Sequence, residues 1–289
     1  MWCEEFMSRL SFPDDAAEYI KNEDFQNTAI KAAAKRFYYE GAPMNDTLFL
    51  LRRVKNENTH IYTAQLLFVI ACAEFLKKSY EELKLPEDIY WDTMNDVKCK
   101  LIECKAVHNI WGTFVPEWYN GFFRLKRFAL GRLQFEKALF EWDDYTKHGY
   151  TVHKGDWVYN FHIPSNGQPL TQNAVLDSFR RAYDFFAADR NSDIMPIICK
   201  SWLLFPGHRE YLPENSNIVK FGSMFDIFKA MYPAGFPDAW RVFGKDYNGD
   251  ASQMPAETTL QRAILSWLRQ GNGIGSGYGI LLFDGENIL

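Results

Sequence analysis

Polar residues alternate with apolar ones in two segments of the second half of the chain. Arg132, Gln134 and Glu136 occupy every second position of one segment, and Asn160 and His162 do so in a later one. A period of two is typical of a β-strand with one apolar and one polar face. The polar face is either the solvated side of a sheet or the wall of a cleft beneath helices. In a cleft, Glu136 and His162 are the general-base candidates, and the other three are predicted to bind substrate.

The second candidate is a junction with the sequence HIPSNGQPLT, from His162 to Thr171. A predicted strand here passes through a loop into a predicted helix, with Thr171 as the expected N-cap. Such a junction directs unpaired backbone N–H groups and the positive end of the helix dipole outward, where a phosphate or pyrophosphate can bind. An ordinary strand-to-helix turn would have a similar composition, so both interpretations stay open. The residues of a binding loop would be Ser165, Asn166, Gly167, Gln168, Leu170 and Thr171.

The third candidate is the end of a predicted strand and the loop after it, in residues 199–217. In open α/β sheets, ligands tend to bind at the carboxyl ends of strands, which makes Ser201 and Trp202 candidates for substrate binding. Tyr211 lies in the same loop. Its phenol could protonate a leaving group, although a tyrosine in such a loop is more often a packing residue with a hydrogen-bonded hydroxyl.

Several well-known motifs are absent from the sequence. It contains no GxSxG, no GxxxxGK[ST] and no HExxH, and its six histidines do not have metal-ligand spacing on a helix. We therefore predict no protein-bound metal. The alternating glycines from Gly271 to Gly279 come before a predicted strand and do not open a helix, so they are not a dinucleotide-binding fingerprint.

The charge argues against nucleic acid as a partner. The formal net charge is −5, the sequence pI is about 5.7, and no basic run resembles a nucleic-acid arm. The five cysteines are odd in number and occur outside CxxC pairs, which predicts reduced thiols and a cytoplasmic protein. The first residues, MWCEE, lack the features of a secretory signal. The most apolar stretch, residues 66–76, is too short to span a bilayer and contains Glu74.

The two halves of the chain have different periodicities. Apolar residues recur every three or four positions from about residue 14 to 110, which predicts four or five helices. The segment 111–121 interrupts this pattern with two glycines, a proline and bulky aromatics. Beyond it, predicted strands alternate with helices in the order β-β-α-β-α-β-α-β, including a helix through Phe225 and Phe228 and a short strand at Trp240–Phe243. The sequence thus predicts a helical domain at 1–115 and, at 116–289, a mixed sheet flanked by helices.

Three segments together carry a family resemblance. They are GRLQFE (131–136), HIPSNGQPL (162–170), and SWLLFP followed by LPENSNI (201–218). In this order they resemble bacterial N-acyltransferase-like proteins, which have a helical N-terminal domain and a GNAT-like C-terminal domain. The likeness covers nearly the whole chain.

The resemblance implies transfer of an acyl group from a thioester to an amine. The donor would be a coenzyme A thioester or an acylated acyl carrier protein. The strand at 157–163 would lead to a pyrophosphate-binding loop at 165–171, and the segment 195–205 would splay away to admit the pantetheine arm. Glu136 or His162 would be the base, acting directly or through water, and Tyr211 an acid.

The loop departs from the usual [RQ]xxGx[GA] pattern. Gly167 is its only glycine, and two prolines remove backbone donors. A non-catalytic acyl-CoA- or nucleotide-binding module on a degenerate GNAT-like fold is therefore the alternative. A third possibility is a carbohydrate or peptide binder that uses exposed tryptophans such as Trp118, Trp142 and Trp202.

Overall fold

The computed structural model describes residues 2–22 and 28–289. The chain forms two compact units. The first comprises Met1–Ala129 with Pro164–Gly167, and the second comprises Leu130–Ile163 with Gln168–Leu289. The domain boundary between residues 115 and 116 stays a prediction.

The first unit is helical, as predicted. A helix with apolar residues on every side must be buried, and α5 has this character, with 12 of its 22 residues buried. Its neighbour α6 ends where Asn109 adopts a left-handed conformation, with φ of 55°. The helices are α1 (Trp2–Arg9), α2 (Asp14–Asn22), α3 (Thr28–Glu40), α4 (Met44–Val54), α5 (Ile61–Glu82), α6 (Glu87–His108) and α7 (Asn120–Phe123), with a 3₁₀ turn at Pro116–Tyr119.

The chain contains a mixed sheet of six strands in the order β1-β2-β5-β6-β8-β7, and the strands from β2 onward belong to the second unit. Strands β5 and β6 are parallel, whereas the pairs β2/β5, β6/β8 and β7/β8 are antiparallel. The strands are β1 (Arg127–Leu130), β2 (Leu133–Leu139), β5 (Trp157–His162), β6 (Met195–Ser201), β7 (Asp226–Met231) and β8 (Ser276–Phe283), and a separate hairpin pairs β3 (Tyr145–Lys147) with β4 (Tyr150–Val152). The helices are α8 (Gln172–Phe185), α9 (His208–Tyr211), α10 (Asn217–Gly222), α11 (Trp240–Phe243) and α12 (Thr259–Arg269).

The two faces of the sheet carry different side chains. On one face, Phe179 of α8 packs against Phe135, Phe161 and Phe283, with ring centroids 5.7–6.2 Å apart. The opposite face carries Glu136, Asn160 and His162 at one end and a second apolar cluster at the other. That cluster comprises Phe140, Val152, Val158, Ile198, Ile280 and Leu282. The alternation expected from the sequence is therefore real, and the polar residues occupy only part of their face.

Strands β5 and β6 stay together for only part of their length. The paired residues are Tyr159 with Ile197 and Asn160 with Ile198. Both strands continue past these pairs, to His162 and Ser201. On its other side, β5 is paired with β2 up to His162, and β6 is paired with β8 up to Ser201. The sheet is consequently open between β5 and β6 at its polar end, as the predicted splay requires.

Three predicted elements differ from the structure. The segment Trp240–Phe243 is a helical turn and not a strand. The helix after Ser216 ends at Gly222 and does not continue through Phe225 and Phe228. These two residues pack on opposite faces of the sheet, Phe225 on Phe161 and Phe228 on Trp142. The strand at 195–205 ends at Ser201, whose hydroxyl accepts a hydrogen bond from the Leu203 backbone and starts a 3₁₀ turn.

Gly277 lets the segment after β6 approach β8 closely. It pairs with Ser201, and a Cβ built on it would lie 2.1 Å from the Leu204 carbonyl oxygen. Real Cβ atoms do not approach that closely, so any side chain here must displace the turn at 202–204. The glycine thus helps to hold β6 where it diverges from β5.

The variant Gly277→Ala should lose about 1–3 kcal/mol of unfolding free energy, the range for overpacking a dense site. Urea unfolding measures it. Gly222→Ala is the matched control, because a Cβ there would meet the Leu203 carbonyl at 3.9 Å, an ordinary contact. Equal stability of the two variants would contradict the close approach at Gly277.

Candidate active site

Glu136 and His162 form a hydrogen-bonded pair on the polar face of the sheet. The antiparallel register of β2 and β5 places Gln134 opposite His162 and Glu136 opposite Asn160, so the two side chains meet diagonally. His162 Nε2 lies 2.6 Å from Glu136 Oε1. The side chains are 24% and 19% exposed, so the pair is largely withdrawn from water but still reachable by a ligand.

A contact this short between a ring nitrogen and a carboxylate oxygen needs a proton between them. With Glu136 ionised, Nε2–H of the neutral imidazole is the donor, which leaves the lone pair on Nδ1. The Asn160 amide donates to Glu136 Oε1 at 3.4 Å and lies 3.3 Å from His162 Nε2. Three of the predicted site residues are thereby brought together.

The pair lies at the opening between β5 and β6. His162 is two residues beyond Asn160, the last residue of β5 that pairs with β6. Side chains two positions apart in a strand share a face, so His162 projects from the same face as Asn160. A thioester entering between the strands would therefore pass next to the imidazole.

The predicted binding loop connects β5 to α8. Residues Pro164–Gly167 belong to the first unit and Gln168 begins the rest of the second. Thr171 caps α8 as predicted, since its hydroxyl accepts a hydrogen bond from the Ala174 backbone at 3.3 Å. Ser165, Gly167, Gln168 and Thr171 are exposed, whereas Asn166 and Leu170 are half-buried.

Gly167 has a left-handed backbone, with φ of +76°. Apart from Gly167 and its two chain neighbours, no heavy atom of the described residues lies within 4 Å of the position a Cβ would take. The conformation favours glycine, and the space next to it is open. The assignment of this loop to a cofactor stays a prediction.

Arg132 and Gln134 are both buried. The Arg132 guanidinium donates through Nε to the Gln168 carbonyl at 3.3 Å. The backbone N–H of Arg132 donates to the Ser178 hydroxyl at 2.7 Å. Arg132 therefore holds the end of the loop against α8. Its role in substrate binding, like that of Gln134, stays a prediction.

Trp202 and Tyr211 are joined through His208. A carbonyl oxygen can only accept, so His208 Nε2 carries the proton that is donated to the Trp202 carbonyl at 2.7 Å. Nδ1 then accepts a hydrogen bond from the Tyr211 hydroxyl, also at 2.7 Å. The Tyr211 ring stacks on Trp267 with centroids 5.0 Å apart. No role was predicted for His208, although its spacing of three from Tyr211 on a helical turn was a signal for this contact.

Two family models together match nearly the whole chain. The model described as N-acyltransferase N-terminal domain matches residues 1–125, and the model described as GNAT-like C-terminal domain matches residues 127–281. The chain belongs to the GNAT-like C-terminal domain family. The matches support acyl transfer as the activity of this GNAT-like protein, and not the non-catalytic binding module. No curated protein sequence matches it.

Solved structures of acyltransferases share the fold of the GNAT-like protein. One, in complex with decanoyl-CoA and teicoplanin, is 21% identical with a TM-score of 0.71, and the match covers 96% of this chain and 86% of that one. A second, in complex with decanoyl-CoA, is 20% identical with a TM-score of 0.64 and coverages of 97% and 99%. A third, a mutant in complex with octanoyl-CoA, is 20% identical with a TM-score of 0.69 and coverages of 96% and 86%. At these identities the likeness establishes the fold.

Two further features concern residues 2–22 and 28–289 of the GNAT-like protein. No three His, Cys, Asp or Glu side chains in these ranges are grouped so that they could hold a metal ion. None of the helices there is both long enough and apolar enough to cross a membrane.

The buried His208 should make stability depend on pH. Burial lowers the pKa of His208 to about 4, and the hydrogen bond to the Trp202 carbonyl opposes this only in part. An unfolded chain has an ordinary histidine pKa of about 6.5, so between these values it binds a proton that the folded chain does not. Stability should therefore fall by up to about 3 kcal/mol as the pH falls from 6.5 to 4.

Urea unfolding at pH 4.5, 5.5 and 6.5 tests this, with His208→Gln expected to flatten the dependence. His153→Gln is the contrasting control, because a hydrogen bond to Asp144 raises the pKa of the exposed His153. Its removal should not flatten the loss at low pH. NMR titration that showed His208 protonated at pH 5.5 would contradict the assignment.

Proposed function

We propose that this protein transfers an acyl group from acyl-CoA to an amine, with His162 as the general base. The observation that carries the proposal is the 2.6 Å contact between His162 and Glu136 beside the opening between β5 and β6. The family matches support acyl transfer. The ligands of the structurally similar acyltransferases, octanoyl-CoA and decanoyl-CoA, support coenzyme A as the carrier of the acyl group.

The reaction requires one proton acceptor and one donor. As the amine nitrogen bonds to the thioester carbon, His162 Nδ1 takes a proton from it, and Glu136 stabilises the resulting imidazolium. The C–S bond then breaks, and the coenzyme A thiolate takes up a proton. Imidazole suits the first step because its ordinary pKa lies near neutral pH, whereas a carboxylate is a weaker base. Glu136 therefore acts by orienting His162.

Tyr211 is the proposed source of the second proton. Burial raises the pKa of Tyr211, so its phenol is protonated at neutral pH, the form that an acid needs. Its hydroxyl donates a hydrogen bond to His208 in the structure, and transfer of the proton to the thiolate would leave a phenolate on Tyr211. Delivery to the thiolate consequently requires exchange of that hydrogen bond.

The donor phosphates would bind where the loop enters α8. Thr171 satisfies the Ala174 N–H of the first turn, and the preceding N–H groups of Gln172 and Asn173 remain directed along the helix axis. The exposed backbone around Gly167 offers space for a pyrophosphate. An acylated carrier protein is the competing donor, and it would present the same pantetheine arm.

A cytoplasmic location also remains a proposal.

Removal of the base should reduce turnover far more than removal of its carboxylate partner. His162→Ala should lower kcat by about 10²–10⁴-fold, the usual contribution of general base catalysis, with little change in the Kd for CoA. Glu136→Gln should give a smaller fall. Acyl transfer from octanoyl-CoA and acetyl-CoA to a panel of amines, followed by release of free thiol, measures both. His153→Ala, an exposed histidine of the same unit, should leave kcat unchanged. Wild-type turnover in His162→Ala would exclude His162 as the base.

A negative charge at Gly167 should weaken binding of CoA. Asp and Asn both tolerate a left-handed backbone, so Gly167→Asp and Gly167→Asn differ mainly in charge. The Asp variant should bind CoA about fivefold or more weakly than the Asn variant, since one like charge near a phosphate costs about 1 kcal/mol in water. Isothermal titration and ligand-induced thermal stabilisation measure the difference. Equal affinities would place the phosphates elsewhere.

A further inference from the structure

Two lysines lie on the same face of the sheet as His162, across the opening between β5 and β6. Paired residues of neighbouring strands project to the same side. Asn160 pairs with Ile198, and Ile198 pairs with Ile280. His162, Lys200 and Tyr278 are each two positions from one of these residues, towards the same end of the sheet, so they share one face. Lys200 itself pairs with Tyr278, and Lys229 pairs with Tyr278 from the other side.

The three residues form a compact group, which we call the lysine–tyrosine row: Lys200, Tyr278 and Lys229. The Lys200 Nζ lies 5.1 Å from the centre of the Tyr278 ring, and the Lys229 Nζ lies 5.6 Å from it. Both ammonium groups are within cation–π distance of one ring. Both lysines are exposed, and Tyr278 is half-buried.

Lys200 and Lys229 give the row two positive charges. In the described ranges 2–22 and 28–289, neither lysine forms an ion pair with a carboxylate. Two acidic residues lie on the same face: Glu136 is hydrogen-bonded to His162, and Asp226 pairs with Ile280, one row away. Its carboxylate already accepts a hydrogen bond from Tyr145 and binds Lys147 at 3.0 Å. The row is therefore a local excess of positive charge on a protein whose net charge is −5.

The position of the base decides which substrate reaches this row. A base must come within about 2.6–3.2 Å of the proton it removes. The amine acceptor must therefore lie on the face to which His162 projects, which is the face that carries the row. The donor phosphates, in contrast, are proposed to bind at the N-terminus of α8.

We propose that the lysine–tyrosine row binds an anionic group of the amine acceptor, so that the acceptor is an amine that also carries a carboxylate or a phosphate. The inference rests on the proposed function, because it takes the acceptor site to be next to His162. Lys200 and Lys229 supply the charge, and Tyr278 holds the two ammonium groups near one another. The bound anion would place the amine of the same molecule at the imidazole.

The binding test uses acyl products, which require no turnover. N-octanoylglycine carries the anion, N-octanoylglycinamide is its neutral counterpart, and N-octanoyl-aminomethylphosphonate replaces the carboxylate by a phosphonate. Isothermal titration of wild-type protein at low salt should show the acid binding at least about threefold more tightly than the amide, as expected for an exposed ion pair. The phosphonate arm shows which anion is preferred.

Charge-removing variants locate the effect. Lys200→Gln and Lys229→Gln should each remove most of the preference for the acid and leave amide binding unchanged. Lys220→Gln removes an equal charge from an exposed position on α10 and should keep the preference. Equal binding of acid and amide to wild type, failure of both to bind, or an unchanged preference in the two row variants would overturn the proposal.

Two separate measurements distinguish this inference from the proposed function. The Kd for CoA should be the same in wild type, Lys200→Gln and Lys229→Gln, and a weaker Kd in the variants would assign the lysines to the donor and overturn the subsite. In kinetics with octanoyl-CoA, glycine should have a lower KM than ethylamine, and Lys200→Gln should raise the KM for glycine alone. Absence of CoA binding by the wild type would overturn the proposed function, whereas the acid-to-amide comparison judges the subsite by itself.

Discussion

The arrangement of the site depends on the short parallel contact between β5 and β6. Two residue pairs, Tyr159 with Ile197 and Asn160 with Ile198, join the strands before they separate. Parallel pairing by one residue more or less would turn every side chain of β6 to the opposite face relative to β5. The contact therefore decides both that the sheet opens beside His162 and which residues line the opening.

A gap in a sheet leaves backbone groups unpaired. The neighbouring strands hold β5 and β6 in place and so limit the length of the gap. Strand β5 is held by β2 over its full length, and β6 is held by β8. Gly277 allows the Leu204 carbonyl to approach β8 more closely than any other residue type would permit. On the helix side, Phe179 packs against three phenylalanines from three strands and fixes the sheet from one face. The other face is then free to carry polar residues.

The carboxylates on the polar face are paired locally. Glu136 is matched by His162 and by the Asn160 amide, and Asp226 by Lys147 and Tyr145. Partial burial opposes the ionisation of Asp226, but the hydrogen bonds from Tyr145 and Lys147 outweigh it and lower its pKa. Among residues 2–22 and 28–289, no carboxylate pairs with Lys200 or Lys229, and this excess of positive charge suits a negatively charged ligand.

Local patterns in the sequence determined much of the fold and the centre of the site. The period of two in β2 and β5 is enough to place Glu136, Asn160 and His162 on one face, since alternation is a property of any extended strand. The Thr171 cap was also readable, because threonine is a preferred residue immediately before a helix, and its hydroxyl accepts a hydrogen bond from the Ala174 backbone. The matching of the three segments to an N-acyltransferase-like family was likewise a property of the sequence alone.

Contacts between residues far apart in sequence decided the rest. Phe225 and Phe228 have helical spacing, yet they pack on opposite faces of the sheet because β7 adds to β8 at its edge. The sequence left open whether Tyr211 is an acid or a packing residue, and only the structure places His208 and Trp267 beside it. The lysine–tyrosine row joins residues from β6, β7 and β8, whose pairing depends on how the whole sheet folds. No local pattern encodes that pairing, since strand order and register are set by the burial of both faces together.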